Sequence, residues 1–269
     1  MRTAVRTHPL AAYLVLAVVL SWSWWVPMAL RGQVARPGDG WPTHLPGLLG
    51  PALSAVVIVA LVDGRPGLRS LGRRLVQWRV GAGWWLLVAG TGSLAALGLV
   101  VPLLTGDPLP SLDDFGRYTG VSPIGLLGVV AVTFVVNGIG EETGWRGFAA
   151  DRLLRTRSLR GTALAVAAAW AFWHLPLFWV VESFRSFGLV GTIGWLVGLT
   201  AGSVVLTWIY RGTGNSILLA AAWHTAFNLT AATEATGAVV GAVTSTAVII
   251  GAVVLLRRDE PRPARVPQQ

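Results

Sequence analysis

Apolar residues fill eight stretches of this chain, at about 10 to 30, 45 to 62, 83 to 104, 122 to 150, 162 to 181, 188 to 209, 214 to 232 and 235 to 256. Each approaches or exceeds the roughly 20 residues that a helix needs to cross a bilayer. Eight spans place both termini on the same side of the membrane. The first stretch is longer than a signal-peptide core and further spans follow it, so it reads as an anchor that is retained. The expectation is an all-α integral membrane protein of about eight transmembrane helices enclosing a polar intramembrane cavity. It forms one polytopic domain over 1–256, with a core at about 122–232 and a disordered cytoplasmic tail over 257–269.

A different periodicity appears at about 66–80. Leu68, Leu71, Leu75 and Trp78 recur at helical spacing, while Arg69, Arg73, Arg74 and Arg79 fall mostly off that stripe. This predicts an amphipathic helix lying on the inner leaflet as a lipid-anchoring connector. The longest outer loop, at 106–121, carries Asp107, Asp113 and Asp114 and reads as a solvated segment.

Composition agrees with the pattern. Hydrophobic residues make up 54% of the chain and charged residues 12%, with a mean hydropathy of +0.63, too apolar for a soluble domain. With no cysteine, disulfides, thiolate zinc sites, iron–sulfur clusters and a cysteine nucleophile are all excluded. Of the 21 basic residues, all arginine, 17 fall on the N-terminal side of the predicted topology; only Arg31, Arg36, Arg117 and Arg185 fall opposite. Cytoplasmic loops are enriched in basic residues, so both termini are expected in the cytoplasm of a multi-pass cell-membrane protein. The net charge of +9 then reflects topology, and its spread over separate loops without interleaved aromatics argues against nucleic acid as a partner. Most of the fourteen tryptophans, Trp22, Trp24, Trp25, Trp84 and Trp85 among them, read as an interfacial belt. His8 and His44, at span edges, read as interfacial too.

Against this background a few polar residues stand out. Glu141 and Glu142 end an apolar run, and His174 and His224 sit inside others. A charged group at such depth costs about 2.5 to 3.5 kcal/mol even on mild insertion scales. At 1.5 Å per helical residue, His174 lies roughly 18 Å from the cytoplasmic end of its span, His224 roughly 15 Å and Glu141 about 16 Å. Three spans therefore deliver one plane. Glu142 precedes Arg146 by four residues and His224 precedes Asn228 by four, so each pair shares a helix face. Glu142 is expected to pair with Arg146, leaving Glu141 about 100° around the helix and facing another neighbour. Pro176, which has no N–H, is expected to kink the fifth span.

A carboxylate, two imidazoles and a carboxamide at one level suit hydrolysis of an amide. Glu141 serves as general base toward water; either imidazole could orient that water or protonate the leaving amine; His224 and Asn228 can donate to a developing oxyanion. Glutamate with two histidines is also a catalytic zinc set, so a metal site of Glu141, His174 and His224 stands as the alternative to a site without a cofactor. Singly, each histidine is an ordinary packing residue and Glu142 with Arg146 an ordinary ion pair; six positions at one depth point to a site.

Three motifs in order resemble the CPBP intramembrane proteases, which include the type II CAAX prenyl endopeptidases and bacterial Abi and bacteriocin-processing homologues. E-E-x-x-x-R is Glu141-Glu142-Thr143-Gly144-Trp145-Arg146. F-x-x-x-H is Trp170-Ala171-Phe172-Trp173-His174, with tryptophan where the family has phenylalanine. H-x-x-x-N is His224-Thr225-Ala226-Phe227-Asn228. The resemblance implies that Glu141 activates water with help from His174, that His224 and Asn228 form the oxyanion hole, and that Glu142 and Arg146 organise the site. It also implies membrane lipid and a peptide or lipidated protein substrate as partners. The sequence lacks H-E-x-x-H and G-x-S-x-G, and its aspartates lie in loops or near span ends, against zinc site-2, rhomboid and presenilin-type chemistry. The rival class is a transporter or an immunity or chaperone-like binding protein using the same residues without catalysis; the lack of an internal repeat counts against a transporter.

Overall fold

The computed structural model describes residues 2–258; Met1 and the part of the predicted tail from 259 onward lie outside the described residues. Among the described residues six helices are long and apolar enough to cross a membrane: α1 (Pro9–Leu30), α2 (Leu45–Val62), α4 (Ala82–Thr105), α5 (Gly125–Leu153), α7 (Gly188–Gly212) and α9 (Gly237–Arg258). Two shorter apolar helices, α6 (Leu159–Trp173) and α8 (Ile217–Ala232), complete the eight predicted stretches. The amphipathic segment forms α3 (Gly64–Leu75). Among the described residues extended backbone meets only in two isolated bridges, Ala35 with Val181 and Pro37 with Thr119. This is an all-α membrane protein.

Helix α5 is central, packed against α2 and α8, while α7 lies against α6 and α9. Burial follows that arrangement: 44% of the apolar window of α2 and 39% of that of α5 are buried inside the molecule, against 6% for α4. Leu30, Leu104, Leu127 and Val190, on four different helices, stand almost fully exposed, an apolar surface that suits lipid rather than water. Between helices, small residues allow backbone contact, as membrane bundles require. A Cβ on Gly144 would lie 2.5 Å from Pro51 Cβ and 2.6 Å from its carbonyl oxygen, and one on Gly138 would lie 2.9 Å from the Ala221 carbonyl oxygen. Those two glycines bring α2 and α8 onto opposite ends of the segment that carries the glutamates.

Several local expectations change. The fifth span does not kink; α6 stops at Trp173 and a short helix, Leu177–Val180, follows a turn. Pro176 has no N–H for the Phe172 carbonyl, which instead accepts from Leu175 N at 3.1 Å. Helix α3 turns its apolar stripe into the protein: Leu71 is buried, with Leu68 and Leu75 packed on the core. Arg74 anchors it through Asp151 at 2.9 Å. The acidic loop is folded, with Ser111 and Asp114 making a reciprocal cap on Leu112–Phe115, which holds the Asp114 carboxyl below its usual range. Its end is fastened by Arg117 to Glu234 at 2.9 Å. His44 and Trp25 are buried in the protein, where the Trp25 indole N–H donates to the His44 carbonyl at 2.8 Å. Helix α9 runs through Arg258, so the first two residues of the predicted tail are helical.

Candidate active site

The two glutamates occupy a single α-helical turn, Gly140–Gly144, between two π-helical turns, Phe134–Ile139 and Trp145–Ala150. Such wide turns often mark functional positions in helices, and they reset the angular phase of the residues they enclose. Helices α6 and α8 meet this segment with their starts fixed by serine caps: Ser158 accepts from Gly161 N and Ser216 from Leu219 N, both at 3.1 Å.

Glu142 makes the pair expected from its spacing. Its Oε1 accepts from Arg146 Nη1 at 3.0 Å, with both side chains fully buried. The same oxygen takes His224 Nδ1 at 2.8 Å. Because a carboxylate oxygen accepts, Nδ1 carries the hydrogen of that contact. His224 can then donate from Nε2 as well only as an imidazolium, for which Glu142 is the counter-charge.

Glu141 has a different environment. It is 2% exposed, and among the described residues the hydrogen bond drawn to its carboxylate comes from the Trp170 indole N–H, 2.8 Å from Oε2. No cation lies within ion-pair distance of it among the described residues. His174 follows Trp170 by one turn and closes α6; its Nδ1 lies 2.7 Å from the Trp170 carbonyl oxygen. A carbonyl only accepts, so Nδ1 bears the hydrogen and a neutral His174 keeps its lone pair on Nε2. Around His174 stand Trp173, Phe184 and Trp195, with ring centroids 4.8, 6.2 and 5.5 Å away.

Asn228 is half-buried and, among the described residues, hydrogen-bonds to none of the other five. The structure thus joins Glu142, Arg146 and His224 directly and links Glu141 and His174 through Trp170, with Asn228 one turn beyond His224 on α8. Trp170 was legible only as a departure from a motif; its role as a hub comes from the indole N–H, which phenylalanine lacks. Asn137, one turn before Glu141, is a further buried polar group, its Oδ1 without a hydrogen-bond partner among the described residues; its signal was a lone amide inside an apolar run. Glu142 Oε2 and Arg146 Nε and Nη2 are likewise buried without a hydrogen-bond partner among the described residues.

As they stand, Glu141, His174 and His224 do not converge as a metal-holding set; among the described residues no three His, Asp or Glu side chains do. Each imidazole instead packs against Trp170, with centroids 5.6 Å (His174) and 5.5 Å (His224) from its ring.

Beside α8 lies an apolar cavity of about 480 Å³ between α4, α5 and α8, lined by Val88, Leu126, Phe134, Ala226 and Leu229 among others. It includes Thr225, the residue after His224.

The fold and this cluster define a polytopic membrane protein with carboxylates and imidazoles buried among its helices. Residues 123–230 match the family model described as "Type II CAAX prenyl endopeptidase Rce1-like". That segment holds all three motifs. The chain is also 24% identical, over 241 residues, to CAAX prenyl protease 2 of Methanococcus maripaludis, a match that covers 85% of this chain and 86% of the relative.

Proposed function

We propose that this chain is an intramembrane endopeptidase that cleaves a membrane-associated peptide, CAAX-like and prenylated or bearing a leader, by means of a glutamate-activated water. The observation that carries the reading is the asymmetry of two adjacent carboxylates. Glu142 is engaged by Arg146 and His224 through one oxygen, whereas among the described residues Glu141 takes only a neutral indole donor. A carboxylate neutralised by two cationic partners is a poor proton acceptor; its unpaired neighbour is the available base.

In the proposed reaction Glu141 takes a proton from water as the oxygen adds to the scissile carbonyl. The tetrahedral oxyanion accepts hydrogen bonds from His224 Nε2, in the imidazolium that Glu142 supports, and from the Asn228 carboxamide. His174, with its Nε2 lone pair, orients the water. The proton held by Glu141 then passes to the leaving amine as the C–N bond breaks. Glu142 and Arg146 hold His224 in place. The apolar cavity beside α8 suits a hydrocarbon chain on the substrate, and the relative's name, CAAX prenyl protease 2, points to the same class.

The test is incubation of the detergent-purified protein with matched prenylated and unprenylated peptides, with products mapped by mass spectrometry. Wild type should cleave at one defined bond, and faster on the prenylated set. No cleavage of any peptide by folded wild type would favour the binding-protein reading instead.

A further inference from the structure

Trp170 touches more of the site than any other residue described here. Its indole N–H donates to Glu141 Oε2 at 2.8 Å, and its carbonyl oxygen accepts from His174 Nδ1 at 2.7 Å. The Arg146 guanidinium carbon lies 4.7 Å above its ring. His224 approaches the ring edge-on, at 88° and 5.5 Å. The residue is 6% exposed, so these contacts form in a medium where each hydrogen bond counts for more than in water.

We infer that Trp170 is the positioning residue for the Glu141 carboxylate: the indole N–H holds Oε2 and so fixes Oε1 as the oxygen that faces the reacting water. The inference rests on the reading of Glu141 as general base and adds the device that aims it. A glutamate side chain on a helix has three rotatable bonds, and Glu141 lacks the ion pair that fixes Glu142. The indole supplies one directed donor, and the ring is itself fixed in plane by the guanidinium stacked on its face and by the helical backbone of α6. Phenylalanine, which the family motif carries at this position, would keep the apolar wall and the backbone carbonyl for His174 but leave Oε2 without its donor. In this chain the aromatic of the second motif therefore couples two catalytic groups, Glu141 through its side chain and His174 through its backbone.

The experiment compares, on the cleaved peptide, wild type, Trp170→Phe, and the full chain carrying β-(3-benzothienyl)alanine at position 170 by nonsense suppression. The last keeps the bicyclic shape and replaces the N–H by sulfur, so packing is preserved even if Trp170→Phe folds poorly. A charge-assisted hydrogen bond is worth roughly 1.5–3 kcal/mol, so kcat should fall about ten- to hundredfold in the sulfur analogue. KM should stay within about twofold of wild type, since a group that aims the base without touching substrate lowers kcat and leaves binding unaltered. Wild-type kcat in the sulfur analogue, or a raised KM with kcat retained, would overturn the inference. Glu141→Gln is run alongside: if it is inactive while the sulfur analogue is fully active, this inference fails alone; if Glu141→Gln stays active, the base assignment fails and this inference with it.

Discussion

His224 Nδ1 lies 2.8 Å from Glu142 Oε1, the oxygen that Arg146 Nη1 also approaches at 3.0 Å. One carboxylate oxygen thus joins α5 to α8, and in doing so takes up one of the two histidine nitrogens. Glu142→Leu would leave a fully buried guanidinium without its counter-charge and should destabilise the protein by about 3–5 kcal/mol. Adding Arg146→Met should recover most of that stability without restoring cleavage. Unfolding in detergent, followed with activity for both single variants and the double, checks the coupling; additive losses of stability would contradict it.

Asn228 supports no other group of the site by hydrogen bond, so its removal isolates catalysis from folding. Asn228→Ala should lower kcat about 10²- to 10³-fold, the usual loss on removing one oxyanion donor, with the melting temperature unchanged. Steady-state kinetics with a thermal melt decide it; a kcat within twofold of wild type would remove Asn228 from the mechanism.

At Gly144, α5 packs closely on α1 and α2. A methyl group there would sit 2.5 Å from both Tyr13 Oη and Pro51 Cβ and 2.6 Å from the Pro51 carbonyl oxygen, and backbone does not move aside easily. Gly144→Ala should cost about 1–3 kcal/mol of stability through overpacking and, two residues from Glu142, should lower activity as well. Gly194→Ala, on the open side of α7 where a Cβ meets nothing within 4 Å, should be silent in both assays.

The absence of native cysteine makes topology directly measurable. Single cysteines at the exposed positions 73 and 107, introduced as Arg73→Cys and Asp107→Cys, should react with an impermeant maleimide from opposite sides of the membrane. The first should label in inside-out vesicles and the second in intact cells. The reverse pattern would invert the orientation inferred from the arginines.

The sequence made the helical layout legible because an apolar stretch of membrane length has few alternatives, and all eight stretches appear as helices. The Glu142–Arg146 contact was equally legible, since i and i+4 share a face on any helical turn. What eluded it depended on partners from elsewhere in the chain. Trp25 looks like a belt tryptophan until the His44 carbonyl supplies an acceptor inside the bundle at 2.8 Å, and Trp173 beside it donates to Ser21 Oγ at 2.7 Å, which donates on to the Gly47 carbonyl oxygen at 2.6 Å. Helix α3 reads as lipid-facing until Arg74 finds Asp151, about 75 residues away in sequence. The pairing of His224 with Glu142, 82 residues apart, is likewise invisible to spacing within one helix; common depth brought the two to one level without choosing which carboxylate the histidine would take.

The central claim is that Glu141 is the base of a peptide-bond hydrolysis. The most direct measurement is the cleavage rate of a mapped peptide by purified wild type and Glu141→Gln, each with and without a zinc chelator. The account predicts equal melting temperatures, a loss of about 10² to 10⁴ in kcat for Glu141→Gln, and wild-type cleavage that survives chelation. Cleavage retained in Glu141→Gln would contradict it outright, and wild-type activity abolished by the chelator and restored by zinc would replace the glutamate-activated water with a metal-bound one.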